Sequence, residues 1–164
     1  MTLTFRPTTL EHLLAMEEIR LLVVAYGNRV DGGKGDIADL FTDDGVWDSS
    51  DNGYPRLEGR DMIAEFFGDY TTRRQRGHRL SHLPANPLIT YLDADTAHSV
   101  SGFIGQANFS GRDDLVVDSG RYHDEFARTP DGWRFRSRRL EHVLPTRLID
   151  LDAAAEQPRS RSWS

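Results

Sequence analysis

The sequence predicts an α+β fold: a cone-shaped barrel made of a strongly curved, mostly antiparallel sheet closed by N-terminal helices. Two observations carry this prediction. Apolar residues spaced three and four apart are confined to the first half of the chain, before about residue 72, whereas β-rich runs separated by short turns fill about 79 to 143. The size of the chain, 164 residues with 38% apolar composition, suits one core, so residues 1–155 are read as a single domain. The polar, Ser/Arg-rich stretch 156–164 is expected to be a disordered tail.

Helix one is marked by Leu10, Leu13, Leu14, Ile19, Leu22, Val23, Tyr26 and Val30, whose spacing places them on one face. Thr8-Thr9-Leu10-Glu11 supplies a capping-box start and Gly32-Gly33 a stop, so the helix runs from about 9 to 31. A helical turn at Asp36 to Phe41, a strand at Gly45 to Ser49 and the turn-rich Ser50-Asp51-Asn52-Gly53-Tyr54-Pro55 follow. Arg60 to Thr72 is a second helix, with Met62, Ile63, Phe66 and Phe67 at helical spacing. Strands are predicted at 79–91, 96–109, 115–128 and 132–143, separated by Asp93-Ala94-Asp95, Ser110-Gly111-Arg112-Asp113 and Pro130-Asp131-Gly132. They exceed the usual strand length, and long antiparallel strands can curl around a cavity. His78, Leu80, His82, Asn86 and Leu88 then share the inner row of one strand. Val116, Asp118, Gly120, Tyr122, Asp124 and Phe126 form a row on another, with Arg121, His123 and Glu125 on its solvated side.

Composition removes whole classes of chemistry. With no cysteine, disulfide frameworks, thiolate metal sites and cysteine nucleophiles are excluded, and with Lys34 the only lysine, Schiff-base catalysis is improbable. The net charge of −6 and the shortness of the basic patches Arg73-Arg74-Gln75-Arg76 and Arg134 to Arg139 argue against nucleic acid. No apolar run approaches a membrane span and no leader precedes the first helix, so a cytoplasmic location is expected. No phosphate loop, nucleophile elbow or dinucleotide fingerprint is present. His78 and His82, four apart on a strand, are too separated to share a metal, so neither metal nor cofactor is expected.

Several segments resemble a known family. They are Tyr26-Gly27-Asn28-Arg29-Val30-Asp31, Leu40-Phe41-Thr42-Asp43-Asp44, Leu57-Glu58-Gly59-Arg60-Asp61-Met62-Ile63, His82-Leu83-Pro84-Ala85-Asn86-Pro87-Leu88-Ile89, Gly120-Arg121-Tyr122-His123-Asp124 and Asp131-Gly132-Trp133-Arg134-Phe135. Their order and spacing over roughly 8 to 145 resemble the SnoaL-like members of the NTF2-like (cystatin-like) superfamily, in the branch near scytalone dehydratase and bile-acid 7α-dehydratase. The resemblance implies a helix-one Tyr and Asp and a strand His meeting in a pocket, which map onto Tyr26, Asp31 and His82. The second pocket His of scytalone dehydratase maps near Ala107, beside Gln106 and Asn108, where this sequence has none.

A carboxylate accepting an imidazole N–H fixes the ring's tautomer and leaves the other nitrogen free to take a proton. His82 then serves as base, Asp31 as its orienting partner and Tyr26 as donor to a developing oxyanion, with Tyr122 or Asn86 assisting. Trp47, Tyr54, Phe66, Phe67, Phe103 and Phe109 would wall the cavity for a flat hydrophobic substrate. Blander readings stand beside these: Tyr26 as core, Asp31 as a turn residue, His82 bonded to a backbone carbonyl, Asn86 satisfying backbone before Pro87. His98, His123 and His142 read as surface, and Asp124 with Arg138 or Arg139 as a structural ion pair. The expected function is a cofactor-independent, dehydratase-type lyase acting on an aromatic, polyketide or terpenoid-like molecule. Retro-aldol release of formaldehyde, isomerisation or cyclisation would use the same pocket. The rival of another class is a non-catalytic binding or assembly subunit. Self-association as a dimer or trimer is expected through the Arg-rich last strand and Leu144, Leu148, Ile149 and Leu151.

Overall fold

The computed structural model describes residues 5–75, 77, 79–108 and 114–150. His78, Phe109, Leu151, the turn expected at 110–113 and the tail 156–164 lie outside them. Helix α1 spans Leu10–Val30 and α2 Arg60–Gln75. The strands are β1 (Phe41–Asp48), β2 (Arg56–Glu58), β3 (Arg79–Pro84), β4 (Leu88–Leu92), β5 (Thr96–Asn108), β6 (Asp114–Thr129) and β7 (Gly132–Asp150).

Thr9 caps α1, its side chain accepting the backbone N–H of His12 at 3.2 Å, one residue later than the box expected from Thr8 and Glu11. Burial of α1 begins only at Ala15 and continues through Ile19, Leu22, Val23, Tyr26 and Val30. Leu10, Leu13 and Leu14 belong to the same predicted stripe but are 66%, 53% and 60% exposed, because the first turns lie beyond the face that the sheet covers. The predicted strand 79–91 is two strands. Pro84 and Pro87 bracket the break, since proline cannot donate to a ladder, and only the Ala85 N–H continues the pairing, to Gly102 O at 2.8 Å. β2, only three residues long, follows directly on the turn-rich 50–55 stretch and is an element the sequence analysis does not predict.

The sheet order is β2-β1-β7-β6-β5-β3, with β4 also pairing β5. β1 runs parallel to β7 and every other pair is antiparallel. The expected cone-shaped barrel is not formed: the sheet is mixed, open and not strongly curved. Closure needs the two ends of the path to pair, and these are the short strands β2 and β3, which do not meet. Strand length alone does not close a sheet, and the register shifts that β7 carries against β6 do not bring β2 and β3 together. β5 and β6 pair from Thr96↔Ala127 to Asn108↔Leu115 with no shift of register.

The helices pack on the sheet through one core that includes Ile19, Val23, Phe41, Ile63, Phe126 and Phe135. No helix among the described residues is long and apolar enough to cross a membrane.

Candidate active site

Asp31 ends α1 as its C-cap, its backbone N–H bonded to Gly27 O at 3.0 Å. Gly27 also sets how near the helix comes to β3, because a Cβ there would lie 3.2 Å from the Pro84 ring. This close approach brings the Asp31 carboxylate to His82. Oδ2 accepts the His82 backbone N–H at 2.7 Å, and Oδ1 pairs with His82 Nδ1 at 2.6 Å. A carboxylate at that distance accepts, so in the neutral ring Nδ1 carries the hydrogen and Nε2 the lone pair. His82 pairs across the ladder with Gly105, where a Cβ would sit 3.3 Å from His82 Cδ2 and 3.4 Å from Nε2, so the glycine leaves the ring its room.

His82 lines a pocket with a cavity volume of about 80 Å³. Trp47, Phe66, Phe67, Phe103 and Tyr122 contribute its aromatic walls, and Tyr54, 43% exposed, also lines it. Phe103 stacks on Tyr122 with centroids 4.5 Å apart, and Trp47 tilts against Phe66 at 5.3 Å. Tyr26 is buried in the same wall. Its hydroxyl accepts from Trp47 Nε1 at 2.8 Å, and burial pushes its pKa up to about 12, so the phenol keeps its proton and can donate it. Burial raises Tyr122 as well. Of the residues expected at the site, Tyr26, Trp47, Tyr54, Phe66, His82, Phe103 and Tyr122 line this pocket and Asp31 stands behind His82. Asn86 does not line it; it is exposed in the connection between β3 and β4.

Beneath Tyr26 lies the ion pair read as structural. Arg138, not Arg139, donates through Nε and Nη2 to the two oxygens of Asp124 at 2.8 Å each, with both side chains wholly buried. Its Cζ sits 4.1 Å from the ring centroids of Tyr26, Tyr122 and Phe135.

His142, expected at the surface, lines the pocket instead, its Nε2 2.8 Å from Asp118 Oδ2 and 3.2 Å from Asn52 Nδ2. The cause is a bulge. Glu125 pairs Ser137 while Phe126 pairs Phe135, so Arg136 is an extra residue on β7. Before it Trp133 and Phe135 are buried, and after it Arg138 and Leu140, so the inward parity changes and carries His142 inside. The second pocket histidine therefore comes from β7, not from the strand holding Ala107. A switch of apolar parity from Trp133-Phe135 to Leu140 was the signal that could have found it. His123 stays on the other face, its Nε2 2.6 Å from Glu141.

Two His/Asp pairs and aromatic walls thus equip one pocket for acid–base chemistry on a small hydrophobic molecule. Among the described residues no group of three or more His, Asp or Glu is placed to hold a metal ion.

The SnoaL-like domain profile matches residues 11–139. An uncharacterized protein of Mycobacterium tuberculosis, Rv2910c, is 30% identical over 131 residues, covering 76% of this chain and 82% of the relative. A candidate aromatic ring hydroxylase of Novosphingobium aromaticivorans has a solved structure with TM-score 0.73 and 27% identity, over 87% of this chain and 97% of that one. A candidate scytalone dehydratase from the same species superposes with TM-score 0.71 at 20% identity, over 84% and 88% of the two chains, which speaks to the fold. With a match over most of its length, this chain belongs to the SnoaL-like domain family of the NTF2-like superfamily.

Proposed function

We propose that this protein is a cofactor-independent lyase of the dehydratase type, using His82 and Asp31 for acid–base catalysis on a hydrophobic aromatic, polyketide or terpenoid-like molecule. The observation that carries this reading is the 2.6 Å contact between Asp31 Oδ1 and His82 Nδ1, which leaves Nε2 as a base in the pocket. Asp31 holds the ring by a second point, the His82 backbone N–H, so the base is fixed before substrate arrives. Nε2 takes the proton from the carbon beside a carbonyl. Tyr26, whose oxygen accepts from Trp47 Nε1, donates its own O–H to the carbonyl oxygen as negative charge grows there. The aromatic walls hold a flat substrate and keep water from the exchange.

The test is turnover of 3-hydroxy-1-tetralone, a β-hydroxy ketone that yields 1-naphthol on losing water, followed by absorbance and product chromatography. The wild type is expected to form 1-naphthol. His82→Ala should lower kcat by about 10²–10⁴ and Asp31→Asn by somewhat less, with folding retained by circular dichroism. No 1-naphthol from the wild type, or undiminished turnover in His82→Ala, contradicts the reading.

A further inference from the structure

The aromatic pocket has a neighbour. Phe67 of α2 lines it and also lines a second cavity of about 480 Å³, beside the loop that follows α1. One ring is therefore the wall between them. The aromatic pocket, at about 80 Å³, has room for a few waters, whereas sites that take a small organic molecule start at about 300 Å³. A two-ring substrate that reaches His82 must find the rest of its room elsewhere, and the larger cavity lies behind Phe67. Gly68, the next residue, lines that cavity too. A Cβ there would meet nothing within 4 Å among the described residues, so the missing side chain keeps the space open, inside a helix where glycine is otherwise unfavourable.

Charge marks the far side of this cleft. Lys34, the only lysine of the chain, and Arg29 line it, in a protein whose net charge is −6. Arg29 is held in place. Its Nη1 donates to Asp36 O, and its guanidinium lies on Gly35, where a Cβ would come within 2.9 Å of Arg29 Cζ. Gly35 also has φ +103°, backbone that favours glycine. Asp36 is the acid among the described lining residues, and its Oδ1 accepts the Ala38 N–H at 2.9 Å. Two cations facing one carboxylate leave a single positive charge, which suits one carboxylate of a ligand better than a doubly charged phosphate. The Arg29 fork has donors beyond the one on Asp36 O, in the geometry that fits a carboxylate.

We infer that the aromatic pocket and this cleft are two halves of one site, and that the substrate is an aromatic compound carrying a carboxylate on a side chain. The ring stands before His82, the side chain passes the edge of Phe67, and Lys34 and Arg29 hold the carboxylate. This deepens the lyase reading and rests on it for what happens at the ring. The loop that bears Lys34 begins directly after Asp31, the partner of His82, so the held charge also sets how far the ring enters.

1-Naphthalenebutyric acid and its methyl ester have nearly one shape and differ in charge, and their affinities are read by isothermal titration calorimetry. The wild type should bind the acid about tenfold or more tightly than the ester at low salt. Lys34→Gln should shrink that preference to about threefold or less, and Lys34→Glu should remove it, with folding retained by circular dichroism because Lys34 is exposed. Raising the salt to about 0.5 M should weaken the acid and leave the ester as it was. The acid should also shift the ring signals of His82 in NMR spectra of histidine-labelled protein, which a ligand confined to the cleft leaves in place. Equal affinity of acid and ester in the wild type, a preference that survives Lys34→Glu, or His82 signals that do not move overturns the joined site. A preference for the acid in a wild type that makes no 1-naphthol from 3-hydroxy-1-tetralone upholds the site and tells against the lyase reading instead.

Discussion

Arg138 is where the packing of this site can be put to a quantitative test. Its guanidinium makes two 2.8 Å bonds to Asp124, both side chains are wholly buried, and three aromatic rings surround it at 4.1 Å. Arg138→Met keeps the length of the side chain and removes the cation, leaving the Asp124 carboxylate in hydrocarbon. Breaking one side of such a pair costs about 3–5 kcal/mol, a large share of a domain's stability. Burial already pushes the Asp124 carboxyl up against the pull of Arg138, so in the variant it takes a proton, which holds the loss toward the lower figure. With a urea slope of about 2 kcal/mol/M, the unfolding midpoint should fall by about 1.5–2 M. The double variant Arg138→Met/Asp124→Leu removes both charges and should recover most of the loss, because a paired buried charge and an apolar replacement are close in free energy. A single variant that loses less than about 1 kcal/mol, or a double variant no more stable than the single, refutes the reasoning.

Three further outcomes follow from local geometry. Gly105→Ala places a methyl 3.3 Å from His82 Cδ2, so turnover should fall about tenfold or more while the urea midpoint moves little. Thr9→Ala removes the acceptor for the His12 N–H and should cost about 1 kcal/mol, seen as a lower melting temperature. Asp48 accepts the Ser50 backbone N–H and hydroxyl at 3.0 and 2.7 Å and an Arg56 donor at 2.9 Å, which hold its carboxyl below the ordinary range. A depressed folded pKa gives stability that is complete above the unfolded value and is lost as pH falls through the folded one. The gap between wild type and Asp48→Asn should therefore narrow on acidification below about pH 4.

Much of this architecture was legible in local chemistry. Helix spacing placed α1 and α2 to within a few residues, and Asp93-Ala94-Asp95 and Pro130-Asp131-Gly132 marked real hairpins. Alternation in β6 separated buried Tyr122, Asp124 and Phe126 from Arg121 and Glu125 on the exposed side. What local chemistry could not supply was anything set by pairing. Openness of the sheet depends on β2 and β3 failing to meet, and no run of residues encodes that directly. The exposure of Leu10, Leu13 and Leu14 depends on where the sheet ends beneath a helix whose own periodicity continues. His142 was missed because the bulged residue Arg136 reverses the inward positions from Arg138 to His142. The meeting of Asp31 with His82, 51 positions apart, rested on resemblance to a family. The structural cause, the Gly27–Pro84 approach, is not visible as a motif.

Nitrogen NMR of histidine-labelled protein tests most directly whether Asp31 makes His82 a base facing the pocket. In the neutral ring the account predicts hydrogen on Nδ1 and a bare Nε2, and in Asp31→Asn a shift toward the Nε2–H form. Hydrogen on Nε2 in the wild type, or a tautomer unchanged by Asp31→Asn, would contradict it.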